Sequence, residues 1–268
     1  MCRLLMAYIP DSDTDRGEVL RAFLGLASNG QVPVSTLKKG HHDGWGVSLY
    51  ARGGLLRHFR SKACAAEDPA RENEFFQVSV HKPDTMLAHI RMVTVGEPSE
   101  RNSHPFVSGR FSFIHNGTLG KIDQHVFDPV RGRAVGETDS EYYFHLIVRD
   151  LDVSEEHSKE KVSDAIVRTV QALRVDTEHA GGHFTSASSI LTDGRYAYVL
   201  REFDEDHPFV KQNNATAYYT LYIGQGPRDE RIVCSEELLI PEVKWELLPN
   251  HSLTVVDLAT GAYETHTV

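Results

Sequence analysis

The chain begins Met-Cys-Arg-Leu-Leu, which places a thiol directly behind the initiator methionine. An ordinary cysteine is only a few per cent thiolate near neutral pH and needs a base to be an effective nucleophile. Removal of Met1 would create that base on the same residue, because an N-terminal α-amine has a pKa of about 7.7–8.0. Cys2 is therefore a candidate N-terminal nucleophile, and an incidental buried cysteine is the alternative.

Two more candidate groups follow predicted strands. Arg91 ends the apolar stretch from Thr85 to Arg91, and its forked guanidinium suits a carboxylate, although a surface ion pair is the more common explanation for such an arginine taken alone. Asn116 and Gly117 follow the predicted strand from Phe111 to His115. An Asn-Gly pair after a strand is usually a hairpin turn. Alternatively, the side-chain amide and the glycine N–H could both point at a developing oxyanion.

The segment Thr138-Asp-Ser-Glu141 reads as a capping box that starts a helix near Asp139. A carboxylate in the first turn is favoured by the helix dipole, so a structural role accounts for Asp139, and binding of a ligand's ammonium group is the alternative. Combined with Cys2, Arg91 and the Asn-Gly pair, it would complete a pocket for an α-amino acid whose side-chain acyl group meets the thiol. Glutamine, or any γ-glutamyl amide, has that shape.

The rest of the sequence predicts elements that could hold these groups. Apolar periodicity predicts a helix from Glu18 to Asn29 that stops at Gly30, and a longer one from Lys159 to Val175. Alternating patterns and turn signals predict strands at 45–50, 55–59, 85–91, 111–115, 218–223, 231–234, 252–257 and 262–266, and a hairpin at 193–194. With no repeat or linker evident, the sequence predicts one α+β domain spanning residues 1–268.

Composition excludes several classes of function. The net charge of −10 argues against a nucleic-acid surface. No stretch approaches the roughly 20 apolar residues of a membrane span, and no signal peptide is evident. Three widely spaced cysteines predict a reduced, cytoplasmic protein with neither a disulfide framework nor a zinc site.

Five stretches in order resemble class II glutamine amidotransferases, which are N-terminal-nucleophile hydrolases: MCRLL, HHDGWGVSLY, LAHIRMVTVGEPSERNSHPF, FIHNGTL and GETDSEYYFHLI. The resemblance is strong from Cys2 to Leu151 and weaker beyond. It implies a four-layer αββα sandwich, loss of Met1, no cofactor and no metal. It also implies a catalytic role for Cys2 and the following site residues: Asn116 and Gly117 as the oxyanion hole, Arg91 and Asp139 as receptors for the substrate α-carboxylate and α-amine, and Thr94 as an additional substrate contact.

Synthase-linked members often have Trp and His where this chain has Met92 and Val95. The sequence to Val268 contains no synthase domain and more closely resembles the stand-alone members, some of which hydrolyse γ-glutamyl bonds in thiol metabolites. The expected function is hydrolysis of a small-molecule γ-glutamyl amide through a thioester. Two alternatives stay open: a glutaminase subunit that feeds ammonia to a separate synthase, and a non-catalytic binding subunit that keeps Met1. A partner synthase or peptidase subunit and homo-oligomerisation also stay open.

Overall fold

The computed structural model describes residues 2–10, 14–34, 37–120, 124–179 and 184–268. Met1, whose removal the sequence predicts, lies outside these ranges. The strands are β1 Arg3–Tyr8, β2 Trp45–Ala51, β3 Gly54–Ser61, β4 Thr85–Ile90, β5 Phe106–Ser108, β6 Phe111–Asn116, β7 Ser188–Thr192, β8 Tyr196–Arg201, β9 Tyr222–Gln225, β10 Arg231–Cys234, β11 Lys244–Leu247, β12 Ser252–Asp257 and β13 Tyr263–Thr267. The helices are α1 Arg16–Asn29, α2 Ala70–His81, α3 Asp139–Ile147, α4 Lys159–His179 and α5 Pro208–Asn213. Short 3₁₀ turns cover Glu100–Asn102, Gln124–Val130 and Ala215–Tyr218.

The described strands form two antiparallel sheets. The first has the order β11-β9-β10-β1-β4-β2-β3 and the second has the order β13-β12-β8-β7-β6-β5. Strand β1 is central in the first sheet, between β10 and β4. Strand β6 lies in the second sheet between β5 and β7. Both strands that carry the candidate catalytic groups are therefore internal, with hydrogen-bonded neighbours on each side.

The two sheets pack face to face and each outer face is covered by helices. Strand β1 illustrates the layering, because successive side chains of a strand point to opposite faces. Leu5 and Ala7 contribute to the core under α1 and α2, whereas Leu4 and Met6 contribute to the core between the sheets. A third core joins the second sheet to α3 and α4. The architecture is the expected four-layer αββα sandwich.

The stretch from Tyr218 to Ile223, predicted as one strand, is divided in the structure. Tyr218 ends a 3₁₀ turn that follows α5, and β9 begins only at Tyr222. Asn214 adopts a left-handed conformation with φ of 49° between α5 and this turn. The alternating sequence pattern concealed the break because Tyr218 is also buried, although against the N-terminal residues and not as part of a sheet.

Among the described residues, no helix is both long enough and apolar enough to cross a lipid bilayer.

Candidate active site

Cys2 and Asn116 meet directly between the two sheets. The Cys2 backbone nitrogen donates a hydrogen bond of 2.7 Å to Asn116 Oδ1, across 114 positions of sequence. Because that nitrogen is the donor, the contacting amide atom must be the oxygen. Asn116 Nδ2 is therefore not the atom that contacts the Cys2 nitrogen. Cys2 itself is buried, and its Sγ lies 3.9 Å from the Met92 carbonyl oxygen.

Strand register explains why Cys2 and Arg91 lie at the same edge of the first sheet. Arg3 of β1 pairs with Ile90 of β4, so the residue before Arg3 and the residue after Ile90 leave the sheet side by side. Trp45 of β2 pairs with the same Ile90. The start of β1, the end of β4 and the start of β2 therefore converge, and the HHDGWG motif enters the site with them.

Arg91 is buried, and its guanidinium is surrounded by the loop that follows it. Its Nη2 donates to the Val95 carbonyl at 2.8 Å and its Nη1 to the Glu97 carbonyl at 3.2 Å. Burial lowers the pKa of the Arg91 guanidinium, whereas the negative charges of Cys2, Asp43 and Asp139, in that order, act to raise it. The fold thus brings Cys2, Arg91 and Asp139 into one electrostatic environment.

Asp139 begins α3, as the capping box predicts. The Thr138 hydroxyl accepts a hydrogen bond from the Glu141 N–H at 3.3 Å. In a capping box, the Glu141 carboxylate would accept from the N–H of the cap residue, Thr138. Here it accepts instead from the backbone N–H groups of Val135 and Gly136. Glu141 therefore holds the loop that precedes the helix, at Val135 and Gly136, against the first turn of α3.

The half-buried Asp139 carboxylate is fixed by backbone donors. Its Oδ2 accepts from the Leu119 N–H and its Oδ1 from the Ser140 N–H, both at 2.9 Å. The next side chain, Ser140, hydrogen-bonds His115 Nδ1 at 2.9 Å, and His115 Nε2 contacts the Ser186 carbonyl at 3.1 Å. Since a carbonyl only accepts, Nε2 carries the proton and Nδ1 accepts from the serine. This chain ties the start of α3 to the end of β6.

Asn116 and Gly117 do not form a hairpin turn. The chain leaves β6 at Gly117 and reaches its next strand, β7, only at Ser188. A Cβ added to Gly117 would lie 1.8 Å from the Ser186 carbonyl oxygen, so the close backbone approach requires glycine. Thr118 Oγ1 then donates to Thr94 Oγ1 at 3.3 Å, which links the β6 exit to the loop after Arg91.

Two positioning residues were not predicted from the sequence. Asn102 Nδ2 donates to the Glu97 carbonyl and its Oδ1 accepts from the Glu137 N–H, both at 2.9 Å. It therefore joins the loop around Arg91 to the loop before Asp139. Asp43, within HHDGWG, accepts from the Val93 N–H at 2.9 Å. The HHDGWG motif was a signal for Asp43, but nothing local marked Asn102.

A group of buried histidines surrounds this edge of the sheets. Burial is the main factor that lowers the pKa of His41 to about 2, of His89 to about 3 and of His115 to about 4. Burial also lowers the pKa of His104 well below its usual range, with added repulsion from neighbouring cations that include Arg91. Within the described residues, no three His, Cys, Asp or Glu side chains are arranged to hold a metal ion.

These histidines predict a loss of stability in acid. Each is neutral when folded, and each binds a proton near pH 6.5 when unfolded. The unfolded state therefore takes up more protons as pH falls below about 6.5, and each histidine lowers the free energy of unfolding by up to about 1.4 kcal/mol per pH unit down to its folded pKa. Above pH 7.5 they contribute no pH dependence. Urea unfolding between pH 5 and 8 measures the effect.

The His104→Leu variant supplies the control for that prediction. Both ring nitrogens of His104 are buried and have no hydrogen-bond partner in the described part of the chain, so an apolar side chain of similar size leaves no new unpaired group. We expect a shallower dependence on pH between 5 and 6.5, by about 1.4 kcal/mol per pH unit at most. An equal slope in the variant and the wild type would remove His104 from the explanation.

Comparisons with known proteins agree on one family. A family model described as "Glutamine amidotransferases class-II" matches residues 2–262. DUG3 of Saccharomyces cerevisiae is 26% identical over 81% of this chain and 70% of its own length. YafJ of Escherichia coli is 31% identical over 73% of this chain and 71% of its own length. Both are named as inferred glutamine amidotransferases. A solved class II glutamine aminotransferase domain protein from Silicibacter pomeroyi matches with a TM-score of 0.58 and 18% identity, over 99% of each chain.

Proposed function

Because this chain belongs to the class II glutamine amidotransferases, we propose that it hydrolyses the γ-glutamyl amide bond of glutamine or of a γ-glutamyl metabolite, with Cys2 as nucleophile after loss of Met1. The observation that carries the proposal is the 2.7 Å contact between the Cys2 nitrogen and Asn116 Oδ1. The contact supports the proposal because the residue that would supply both thiol and amine is hydrogen-bonded to the side chain that would supply an oxyanion donor.

The proposed chemistry begins when Met1 has been removed and the Cys2 nitrogen is a primary amine. The amine takes the thiol proton as the sulfur attacks the γ-carbonyl carbon, and a C–S bond forms. The resulting ammonium gives that proton to the leaving nitrogen, the C–N bond breaks, and a γ-glutamyl thioester remains. Water, deprotonated by the same amine, then attacks the thioester, and glutamate leaves as the proton returns to the thiol.

The tetrahedral intermediate carries a negative charge that requires fixed donors. Asn116 Nδ2 is the proposed side-chain donor, since Oδ1 is already used by the Cys2 nitrogen. The backbone N–H of Gly117 is the proposed second donor, on a segment held against Ser186. Preorganised donors of this kind stabilise developing charge without reorganisation during the reaction.

The proposed substrate is held at its amino-acid end. Arg91 would bind the α-carboxylate and Asp139 the α-amine, with Thr94 as an additional contact. The negative charges of Cys2 and Asp139 both act on the Arg91 guanidinium, which supports this assignment. Correct positioning of the reacting groups can be worth several kcal/mol of the barrier, on the order of 7 or more in favourable cases.

A panel of γ-glutamyl compounds tests the proposal. Glutamine, γ-glutamyl peptides and γ-glutamyl amines are incubated with the isolated chain, and glutamate release is measured. Intact mass measured in parallel shows whether one methionine residue is missing. Release from several compounds by the isolated chain supports a stand-alone hydrolase. Release confined to glutamine and stimulated by a second protein would favour an ammonia-supplying subunit, and no release with Met1 retained would favour a binding subunit.

Replacing Arg91 by Lys is expected to raise KM about 30-fold or more. The ammonium of lysine is a point charge that cannot reproduce the two parallel hydrogen bonds of a guanidinium to a carboxylate, a loss of about 2 kcal/mol. Steady-state kinetics with the best substrate of the panel gives the value. Arg101→Lys is the matched control, because Arg101 is half exposed and pairs with Glu137 at the surface. An unchanged KM for the Arg91 variant would place the carboxylate elsewhere.

A further inference from the structure

The backbone of Cys2 is held from behind by residues that the proposed chemistry does not use. The Cys2 carbonyl oxygen lies 3.4 Å from the Tyr218 hydroxyl and 3.5 Å from Arg3 Nη1. The Tyr218 hydroxyl also lies 3.2 Å from His41 Nε2. All three side chains are buried, so these contacts form on the interior side of Cys2.

The direction of these hydrogen bonds follows from what each atom is able to donate. The Cys2 carbonyl only accepts, so the Tyr218 hydroxyl must donate to it. With the single tyrosine proton assigned to that bond, we assign His41 Nε2–H as the donor to the Tyr218 oxygen. The result is a directed chain from His41 through Tyr218 to the Cys2 carbonyl, with the neutral His41 ring in its Nε2–H tautomer.

Arg3 fixes the position of the Tyr218 ring as well as the carbonyl. Its guanidinium carbon lies 4.0 Å from the centroid of that ring. Its Nε forms an ion pair of 2.6 Å with Glu236, and its Nη2 donates to the Gln31 carbonyl at 2.7 Å. A fully buried cation is costly unless it is paired and hydrogen-bonded. These partners therefore hold the Arg3 guanidinium in a fixed position against the Tyr218 ring.

We propose that Tyr218, held by His41 and Arg3, is a positioning residue for the nucleophile, and this inference rests on the proposed function. Asn116 holds the Cys2 nitrogen while Tyr218 and Arg3 hold its carbonyl oxygen. With both ends of the residue anchored, rotation about the Cα–C bond is restricted, and this rotation sets where the thiol and the amine point. The restriction matters most when Met1 is gone, because no preceding peptide bond then orients the residue.

The HHDGWG motif thereby gains a function at its first histidine. His41 supplies the donor that turns the Tyr218 hydroxyl toward Cys2, and Asp43 of the same motif holds the Val93 N–H near Arg91. The motif would therefore support the nucleophile and the substrate-carboxylate receptor from one short segment. The carbonyl contacts of 3.4 and 3.5 Å are longer than ordinary hydrogen bonds, so the loss of one should have a moderate effect.

The Tyr218→Phe variant tests the inference, because it removes the hydroxyl and keeps the ring that packs against Arg3. We expect kcat for glutamate release to fall about fivefold with KM little changed, and the melting temperature to fall by a few degrees because the buried His41 Nε2–H loses its acceptor. Two reagents for Cys2 provide a readout of orientation. Labelling by a chloroketone analogue of glutamine, which requires an aligned thiol, should slow by a similar factor. Iodoacetamide does not need to bind in the glutamine pocket before it reacts. Its rate of labelling should therefore equal that of the wild type.

Tyr50→Phe is the matched control. Tyr50 is also buried, and its hydroxyl lies 2.6 Å from the Ser112 hydroxyl and 3.0 Å from the Arg110 carbonyl. It pairs with Thr85, at the opposite end of β4 from Arg91. We expect this variant to keep the wild-type kcat and both labelling rates. His41→Leu, which removes the donor to Tyr218, is a second test, with a kcat decrease of about threefold and an unchanged KM.

Four results would overturn the inference. A wild-type kcat for Tyr218→Phe would show that the hydroxyl does not position Cys2. Equal slowing by both reagents, or the same loss in Tyr50→Phe, would indicate a general effect on packing. If the wild-type protein itself releases no glutamate and Cys2 is not labelled by the chloroketone, the proposed function fails together with this inference.

Discussion

The Cys2→Ala variant is expected to lose glutamate release by about 10⁴-fold or more while it folds as the wild type does. No other group in the proposed mechanism forms the bond to the γ-carbonyl carbon, and removal of a nucleophile typically costs factors of this size. Alanine differs from cysteine only by the sulfur, and among the described residues the Cys2 Sγ makes one hydrogen-bond contact, the long one of 3.9 Å to the Met92 carbonyl. We therefore expect little change in the free energy of unfolding.

Cys64→Ala provides the matched control for this prediction. Cys64 is the one cysteine that is not buried, and its sulfur contacts His42 at 3.3 Å. Its replacement should leave turnover unchanged. Rapid acid quench should trap the γ-glutamyl thioester on Cys64→Ala as it does on the wild type. Mass spectrometry of the quenched proteins would locate the glutamyl group. A glutamyl adduct on Cys2→Ala, or turnover that depends on Cys64, would move the nucleophile elsewhere.

Replacing Asn116 by Ala is expected to lower kcat by about 10²- to 10³-fold, the usual cost of one oxyanion donor. KM should change little, because the ground-state carbonyl carries much less charge than the tetrahedral intermediate. The variant also removes the acceptor for the Cys2 nitrogen, so a disturbed nucleophile is a competing cause. Asn116→Asp separates the two, since it keeps an acceptor oxygen but has no Nδ2 donor. If the Nδ2 donor stabilises the oxyanion, both Asn116→Ala and Asn116→Asp should have a lower kcat.

Asn250→Ala controls for the loss of a hydrogen-bonded asparagine. Asn250 accepts from the Phe203 N–H at 3.1 Å and donates to the Phe203 carbonyl at 3.0 Å. Its replacement should lower stability without a comparable decrease in kcat. Full activity of Asn116→Asp would contradict the assignment of Nδ2 to the oxyanion, and would leave only its acceptor role toward Cys2.

Most elements predicted from the sequence are confirmed, because their signals are local. The α1 helix ends at Asn29, and Gly30 follows it as the predicted stop; α3 begins at Asp139 because Thr138 caps it. The hairpin at Asp193 and Gly194 joins β7 to β8. The Tyr218–Ile223 strand was wrong because alternation of buried residues there reflects packing on the N-terminal residues, and a local pattern does not distinguish the two.

The sequence by itself determined the chemistry-bearing residues and the strand ends that carry them, because a cap, a turn or an apolar alternation is encoded within a few neighbouring positions. Only the tertiary structure decided which of these groups meet. Tyr218 reaches the Cys2 carbonyl across 216 positions, and Asn102 joins two loops by hydrogen bonds to their backbones. Such contacts depend on the register of two sheets and on backbone groups that every residue shares, so no local pattern of side chains specifies them.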